Sequence, residues 1–264
     1  MGSLINRVAF FIFPNRSPKG GIPFMLNYVQ INSPFLNVRK APSLSAARYN
    51  APWPINRIAL VSPSIPDWYE TTYRGQQAFI SSKYVSLLPD PVPSFIPDRL
   101  DFIATAELGR TNSIYFNGYG GKWCHRFADW LVMHAGMPKE LVPDVGGCGW
   151  GIVWFVRNNR FYFKGEDHKR RMIRGYPEIR GFTPPALTSD EEAYQPVTGD
   201  YIYFRWSSAD PSVNVSHVGI VRRVDEVALS TFEGNVGKKV VSREFKLDDS
   251  RIVGYGHPDY PLVA

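Results

Sequence analysis

Three prolines within five residues, Pro89, Pro91 and Pro93, interrupt a chain of 264 residues at a point where neither helix nor sheet can continue. The texture differs on the two sides. Upstream, short runs such as Tyr28-Val29-Gln30-Ile31, Phe35-Leu36-Asn37-Val38 and Ala78-Phe79-Ile80 alternate with Pro, Ser and Asn and show no helical period. They predict a small β-barrel. Downstream the pattern is α+β. A helix is predicted over Asp101–Leu108, ended by Gly109, and Cys124, Phe127, Ala128, Leu131 and Ala135 recur on one face of an amphipathic helix stopped by Gly136 and Pro138. Strand-like runs follow at 201–204, 217–224, 227–232 and 239–245. The expected layout is an N-terminal extension (1–25), a barrel (26–88), a linker (89–97) and an α+β unit (98–264) with a helix packed on an antiparallel sheet.

Composition narrows the function classes. At 44% hydrophobic, the chain can bury a sizeable core. Its apolar run near the start, Val8–Phe13, is far shorter than a bilayer span and has no small-residue cleavage site behind it. Neither a membrane segment nor a signal peptide is visible. The net charge of +6 is uneven: residues 1–25 carry three Lys/Arg and no acid, residues 26–88 six against two, and the remainder 21 against 22. A basic N-terminal third suits an anionic polymer or serves solubility alone. No single-strand groove pattern of aromatics among cations accompanies it, so nucleic acid is not an expected partner. The two cysteines form no C-x-x-C pair, Asp190-Glu191-Glu192 lacks calcium-loop alternation, and Gly118-Tyr119-Gly120-Gly121 lacks the Lys-Ser/Thr of a phosphate loop. No metal and no cofactor are expected. Cys148, among glycines, reads as a small buried or loop thiol, and His168-Lys169-Arg170-Arg171 as a solvated loop.

With only 2 Cys and 5 His, few residues compete for nucleophilic chemistry. Cys124 opens its helix, where free backbone N–H groups and the positive dipole end favour thiolate over thiol. Its place on the apolar stripe demands a partner rising from the sheet. His217 heads the apolar run Val218-Gly219-Ile220-Val221 and would be held on a rigid strand, with Gly219 leaving room beside it. Glu233 and Asn235, two apart, share a face of their own strand. If the two runs form a hairpin, a three-residue loop at Asp225-Glu226-Val227 pairs His217 with Asn235 and Gly219 with Glu233, whereas a two-residue loop turns the carboxylate away.

Taken in order, Trp123-Cys124-x-x-Phe127-x-x-Trp130, Gly199-Asp200-x-x-x-Phe204, His217-Val218-Gly219-Ile220-Val221, Glu233-Gly234-Asn235 and Ile252-x-Gly254-Tyr255-Gly256-x-Pro258 resemble the CHAP family of cysteine, histidine-dependent amidohydrolases and peptidases over about residues 98–264. That resemblance implies a papain-like α+β fold and cleavage of an amide bond in bacterial peptidoglycan, as an N-acetylmuramoyl-L-alanine amidase or an endopeptidase. It implies Cys124 as nucleophile, His217 as base and then acid, Glu233 as the group orienting it and Asn235 as a further polar member. His125 departs from the small residue expected after the cysteine. Upstream, Leu36-Asn37-Val38-Arg39-x-x-Pro42-Ser43, Trp68-x-x-Thr71 and Ala78-Phe79-Ile80-x-Ser82-x-Tyr84-Val85 resemble a bacterial SH3 (SH3b) domain, with Gln77-Ala78-Phe79 in place of the more usual Gly-Trp. The SH3b resemblance implies a wall-binding module in which Trp68, Tyr69, Tyr73 and Tyr84 are candidate contacts, although Trp68 and Tyr84 suit a core better than a ligand contact. Together the two resemblances imply a lysin acting outside the cell on the wall, released by lysis or carried on a phage tail or injection particle. Residues 1–25 are the candidate dock, and peptidoglycan with its anionic polymers the partners. The rival expectation is a wall-binding or baseplate component that keeps the fold without turnover.

Overall fold

A computed structural model describes residues 26–116, 118, 121–181, 194–206 and 214–261. The predicted extension 1–25, Tyr119, Gly120 and the Asp190-Glu191-Glu192 stretch lie outside the described residues. The architecture is mixed α and β, with antiparallel sheets.

Seven strands precede the prolines: β1 (Asn27–Ile31), β2 (Phe35–Leu36), β3 (Trp53–Pro54), β4 (Ile58–Pro63), β5 (Trp68–Tyr73), β6 (Gln76–Ser81) and β7 (Val85–Leu87). Five of them form a sheet in the order β6-β5-β4-β1-β7, and β2 pairs with β3. The expected barrel does not close, because β6 and β7 remain the two edges. A single 3-10 turn over Ser82–Tyr84 carries the chain between those edges, and Arg39 bridges to Phe79 beside them. Val29, Ile31, Trp53, Val61 and Ile80 bury together beneath this sheet.

Beyond the prolines lie α1 (Ile96–Thr105), α2 (Cys124–His134), α3 (Cys148–Arg157), β8 (Phe161–Phe163), α4 (Glu166–Gly175), β9 (Tyr201–Phe204), β10 (His217–Val224), β11 (Ala228–Val236), β12 (Lys239–Lys246) and β13 (Ile252–Gly256). Six strands form one sheet in the order β12-β11-β10-β9-β13-β8. Helix α1 begins at Ile96, within the stretch predicted as linker, because Pro97 sits in the first turn, where its missing N–H costs nothing. Cys148 opens a helix rather than sitting in a loop. The glycines that hid α3 from periodicity are packing sites: a Cβ at Gly149 would lie 1.8 Å from the Tyr176 hydroxyl, and one at Gly151 would lie 2.0 Å from His125 Nε2. The cluster His168–Arg171 is likewise helical, within α4. No helix among the described residues is long and apolar enough to cross a membrane.

Helix α2 is buried on every side, not on the single face its periodicity predicts; only Arg126 is partly exposed. One side packs on β11, where a Cβ at Gly234 would come within 2.4 Å of Phe127. The other side meets the N-terminal sheet. There Arg57 lies 4.5 Å from the Trp130 ring and pairs with Glu107 at 2.9 Å, both side chains fully buried. His134 donates from Nε2 to the Ile58 carbonyl at 2.9 Å and meets Trp53 edge-on. The N-terminal sheet therefore clamps the helix that carries Cys124. Removing one member of such a buried ion pair typically costs about 3–5 kcal/mol.

Candidate active site

Cys124 is the first residue of α2, after Trp123, whose side chain makes no cap hydrogen bond. Backbone N–H groups of this first turn are free of helical partners. His217 is the first residue of β10 and pairs with Phe204 on β9. By alternation Val218 and Ile220 join the core beneath α2, whereas His217, Gly219 and Val221 face the opposite side, with Phe204, Trp206 and Phe245. Cys124 and His217 therefore meet at the end of the sheet, where β10 begins. The partner does not rise from the face beneath the helix, as the sequence suggested.

His217 donates from Nε2 to Glu233 Oε2 at 2.7 Å. Nδ1 is then the nitrogen left for Cys124. Glu233, fully buried, also accepts from Thr231 Oγ1 at 2.7 Å and from both arms of Arg243, Nε at 3.0 Å and Nη2 at 2.5 Å. Burial alone would raise the Glu233 carboxyl, but donors on both oxygens outweigh it and hold the group below its usual range. Gly219 makes this possible, since a Cβ there would lie 2.7 Å from Glu233 Cγ.

The hairpin reaches this register by an unexpected route. Asp225 N–H bonds the Ala228 carbonyl at 2.9 Å, so the turn closes on two residues, Glu226 and Val227, rather than three. Val224 then opposes Leu229, a parity that would turn Glu233 away. A bulge between Val221 and Arg223 restores Ile220 opposite Phe232, and with it Glu233 toward His217. Asn235 is not brought in. A register shift between Glu233 and Val236 places it at φ 66°, half-buried, and it has no hydrogen bond to His217 among the described residues.

Two further residues belong to the site. Arg243 lies opposite Thr231 on β12, stacked 4.6 Å from Trp206. Its odd-numbered parity with Thr231 and Glu233 was available from a two-residue turn at Gly237-Lys238 plus one bulge. Cys148, set aside in the sequence as a bystander, places its sulfur 3.6 Å from that of Cys124. No spacing rule signals this contact, because it depends on two helix starts meeting.

Electrostatics at Cys124 and His217 run in opposite directions. Hydrogen bonding from Cys148, then from His217, outweighs burial and lowers the Cys124 thiol to about 4. Burial alone would lower His217, but hydrogen bonds with Cys124 and Glu233 and their charges lift it to about 9. At neutral pH the pair is a thiolate beside an imidazolium. His125, next to the nucleophile, points into the core: Nδ1 donates to Asp129 at 2.9 Å and Nε2 accepts from the Tyr203 hydroxyl at 3.0 Å. It holds α2 to β9.

The aromatic residues suggested for wall binding do not share one surface. On β5, Trp68 alternates with Tyr69 and Tyr73, so it faces the other way. Tyr69 and Tyr73 pack against the buried core, and Tyr73 stacks on Tyr49 at 4.4 Å. Tyr84 is exposed and Trp68 half-buried.

No family model matches the chain, and no curated protein does. Among solved structures it is similar to a NlpC/P60 family protein from Bacillus cereus ATCC 10987, with TM-score 0.39 and 14% identity over 91% of this chain. It spans 64% of the length of that protein. NlpC2 from Trichomonas vaginalis is similar at TM-score 0.36 and 14% identity, covering 90% of this chain and 74% of that one. NlpC1 from the same organism gives TM-score 0.35 and 16% identity, covering 88% and 69%.

Proposed function

We propose that the chain is a peptidoglycan hydrolase of the endolysin or tail-associated lysin type, an amidase or endopeptidase that cleaves a wall amide through a thioester acyl-enzyme. The observation that carries this reading is the His217–Glu233 pair, held by Arg243 and electrostatically coupled to the Cys124 thiol at the start of α2. The thiolate of Cys124 attacks the amide carbonyl carbon. The carbonyl oxygen gains negative charge, which the free N–H groups at the start of α2 stabilise. The C–N bond breaks as His217 gives its proton to the departing amine. Water then attacks the thioester, His217 takes its proton, and the acid leaves with the thiolate restored. Glu233 keeps the ring in its tautomer and balances its charge throughout. Arg243 and Thr231 keep Glu233 ionised and in place.

In this reading residues 26–88 act as an SH3b-like module that holds the enzyme on the wall, with the basic surplus meeting anionic wall polymers. Residues 1–25 dock it to a phage tail or injection particle where it is not released free, and it works outside the cell on the wall. Purified cell walls in suspension provide the test. Turbidity should fall with the wild-type protein and stay constant with Cys124→Ala, while both proteins bind the walls. Equal behaviour of the two proteins would replace the enzyme with a wall-binding component.

A further inference from the structure

The sulfur of Cys148 touches the reacting sulfur and helps to hold it as thiolate, but takes no covalent step in the proposed chemistry. The two residues are the first of α3 and of α2, so two helix starts converge on one sulfur pair 3.6 Å apart. Cys124 is buried and Cys148 is half-buried, and neither is in a disulfide. A disulfide needs the sulfurs at about 2.05 Å, an approach of roughly 1.5 Å, which is within reach of side-chain rotation in the first turn of a helix. Their 24-residue separation keeps the reaction intramolecular.

We propose that Cys124 and Cys148 are a reversible modification site, joined by peroxides into a disulfide that switches the enzyme off and released by thiols. This rests on Cys124 being the nucleophile. The charge states suit the chemistry. Cys124 is held as thiolate, the form that attacks peroxide, while the hydrogen bond to Cys124, burial and the thiolate's charge push the Cys148 thiol well up and keep it protonated. The thiolate attacks one peroxide oxygen; the O–O bond breaks, an S–O bond forms, and the sulfur gives up two electrons as hydroxide or alkoxide departs. The Cys148 sulfur then attacks the sulfenic acid: the S–S bond forms, the S–O bond breaks, and the Cys148 proton leaves with the hydroxyl as water. A dithiol reverses this by exchange. Because Cys148 intercepts the sulfenic acid, Cys124 is spared irreversible oxidation to sulfinic acid.

Intact-mass and peptide mass spectrometry of the full chain after brief hydrogen peroxide treatment test the proposal without any substrate. The wild type should lose two hydrogens and both titratable thiols, yield a linked peptide containing residues 124 and 148, and recover both thiols in dithiothreitol. Cys148→Ser should instead gain two oxygens at Cys124 and not recover. Wild type that accumulates sulfinic acid at Cys124, or forms only covalent dimers, overturns the proposal. Wall clearing distinguishes the two readings: a linked peptide from a protein whose reduced form never clears walls keeps the disulfide and removes the hydrolase. A reduced protein that clears walls but forms no link does the reverse.

Discussion

His217 and His134 are equally buried, each 6% exposed, yet one ring is held as a cation and the other stays neutral. His134 lies at the end of α2, stacked on Trp130 at 4.7 Å, and its only hydrogen-bond partner among the described residues is the neutral Ile58 carbonyl. Burial, with the Arg57 cation nearby, lowers it to about 3, and it stays neutral. His217 has a carboxylate on one nitrogen and a thiolate on the other side, and is lifted to about 9. Burial removes the charge of an imidazole unless anions are built beside it. One ring pins α2 to the N-terminal sheet, and the other is a stored proton. The same distinction marks His125, whose Asp129 partner is shared with the Tyr201 hydroxyl at 3.0 Å in a closed core network.

The largest separation of the two rings should come from their effect on turnover. His217→Gln should slow wall clearing by ~10²–10⁴-fold at matched folded concentration, the usual contribution of a positioned acid–base group. A His134 substitution should leave the turnover of folded protein near wild type. If both rings reduce turnover alike at matched folded concentration, the contrast is wrong and α2 is acting as one strained unit.

A smaller effect concerns the alkaline limb of the pH profile. Activity needs Cys124 unprotonated and His217 protonated, so the rate of wall clearing should rise through about 4 and fall through about 9. Glu233→Gln removes one of the two anions that hold the proton on His217, the Cys124 thiolate being the other. The alkaline limb should then move down from about 9 toward the ordinary 6.5, losing roughly tenfold per pH unit above the new limb. The acid limb should move less, because Cys148 contributes most to lowering Cys124. An unchanged alkaline limb in Glu233→Gln would mean that some other group titrates there.

How far the sequence exposes this contrast depends on whether a residue's role is local. Strands β9 and β10 are legible to the residue, because Tyr201–Phe204 and His217–Val224 are apolar runs bounded by polar segments. Cys124 and His217 are legible because each starts an element, whereas Glu233 faces His217 only because a bulge restores the parity that the two-residue turn breaks. Asn235 misleads because its left-handed backbone breaks the alternation that placed it beside His217. The bulge near Arg222 is invisible because loop length fixes register only in a ladder without an extra residue. Helix α3 is hidden by Gly149 and Gly151, whose propensity argues against helix and whose missing Cβ atoms let Tyr176 and His125 approach. The clamp on α2 is hidden for a different reason. A helix periodic on one face gives no sign that Arg57 and Ile58, from the segment before the prolines, will bury the other.

The smallest and most discriminating effect is on stability, where the two rings have opposite pH dependence. A histidine held below its unfolded value of 6.5 makes the folded state bind fewer protons than the unfolded one, so His134 costs stability as pH falls from 6.5 toward 3. His217, held above 6.5, contributes stability fully present below that value and lost as pH rises through about 9. His134→Ala leaves the Ile58 carbonyl without its donor, a loss of about 1–3 kcal/mol at pH 8. Near pH 4 the same substitution also removes the penalty of keeping a buried ring neutral, so the loss should shrink or reverse sign. Urea unfolding of wild type and His134→Ala at the two pH values measures the difference directly. A penalty that is the same at both would mean the His134 ring already carries a proton in the fold, with Arg57 beside it, and the contrast between the two histidines would fail at its structural end.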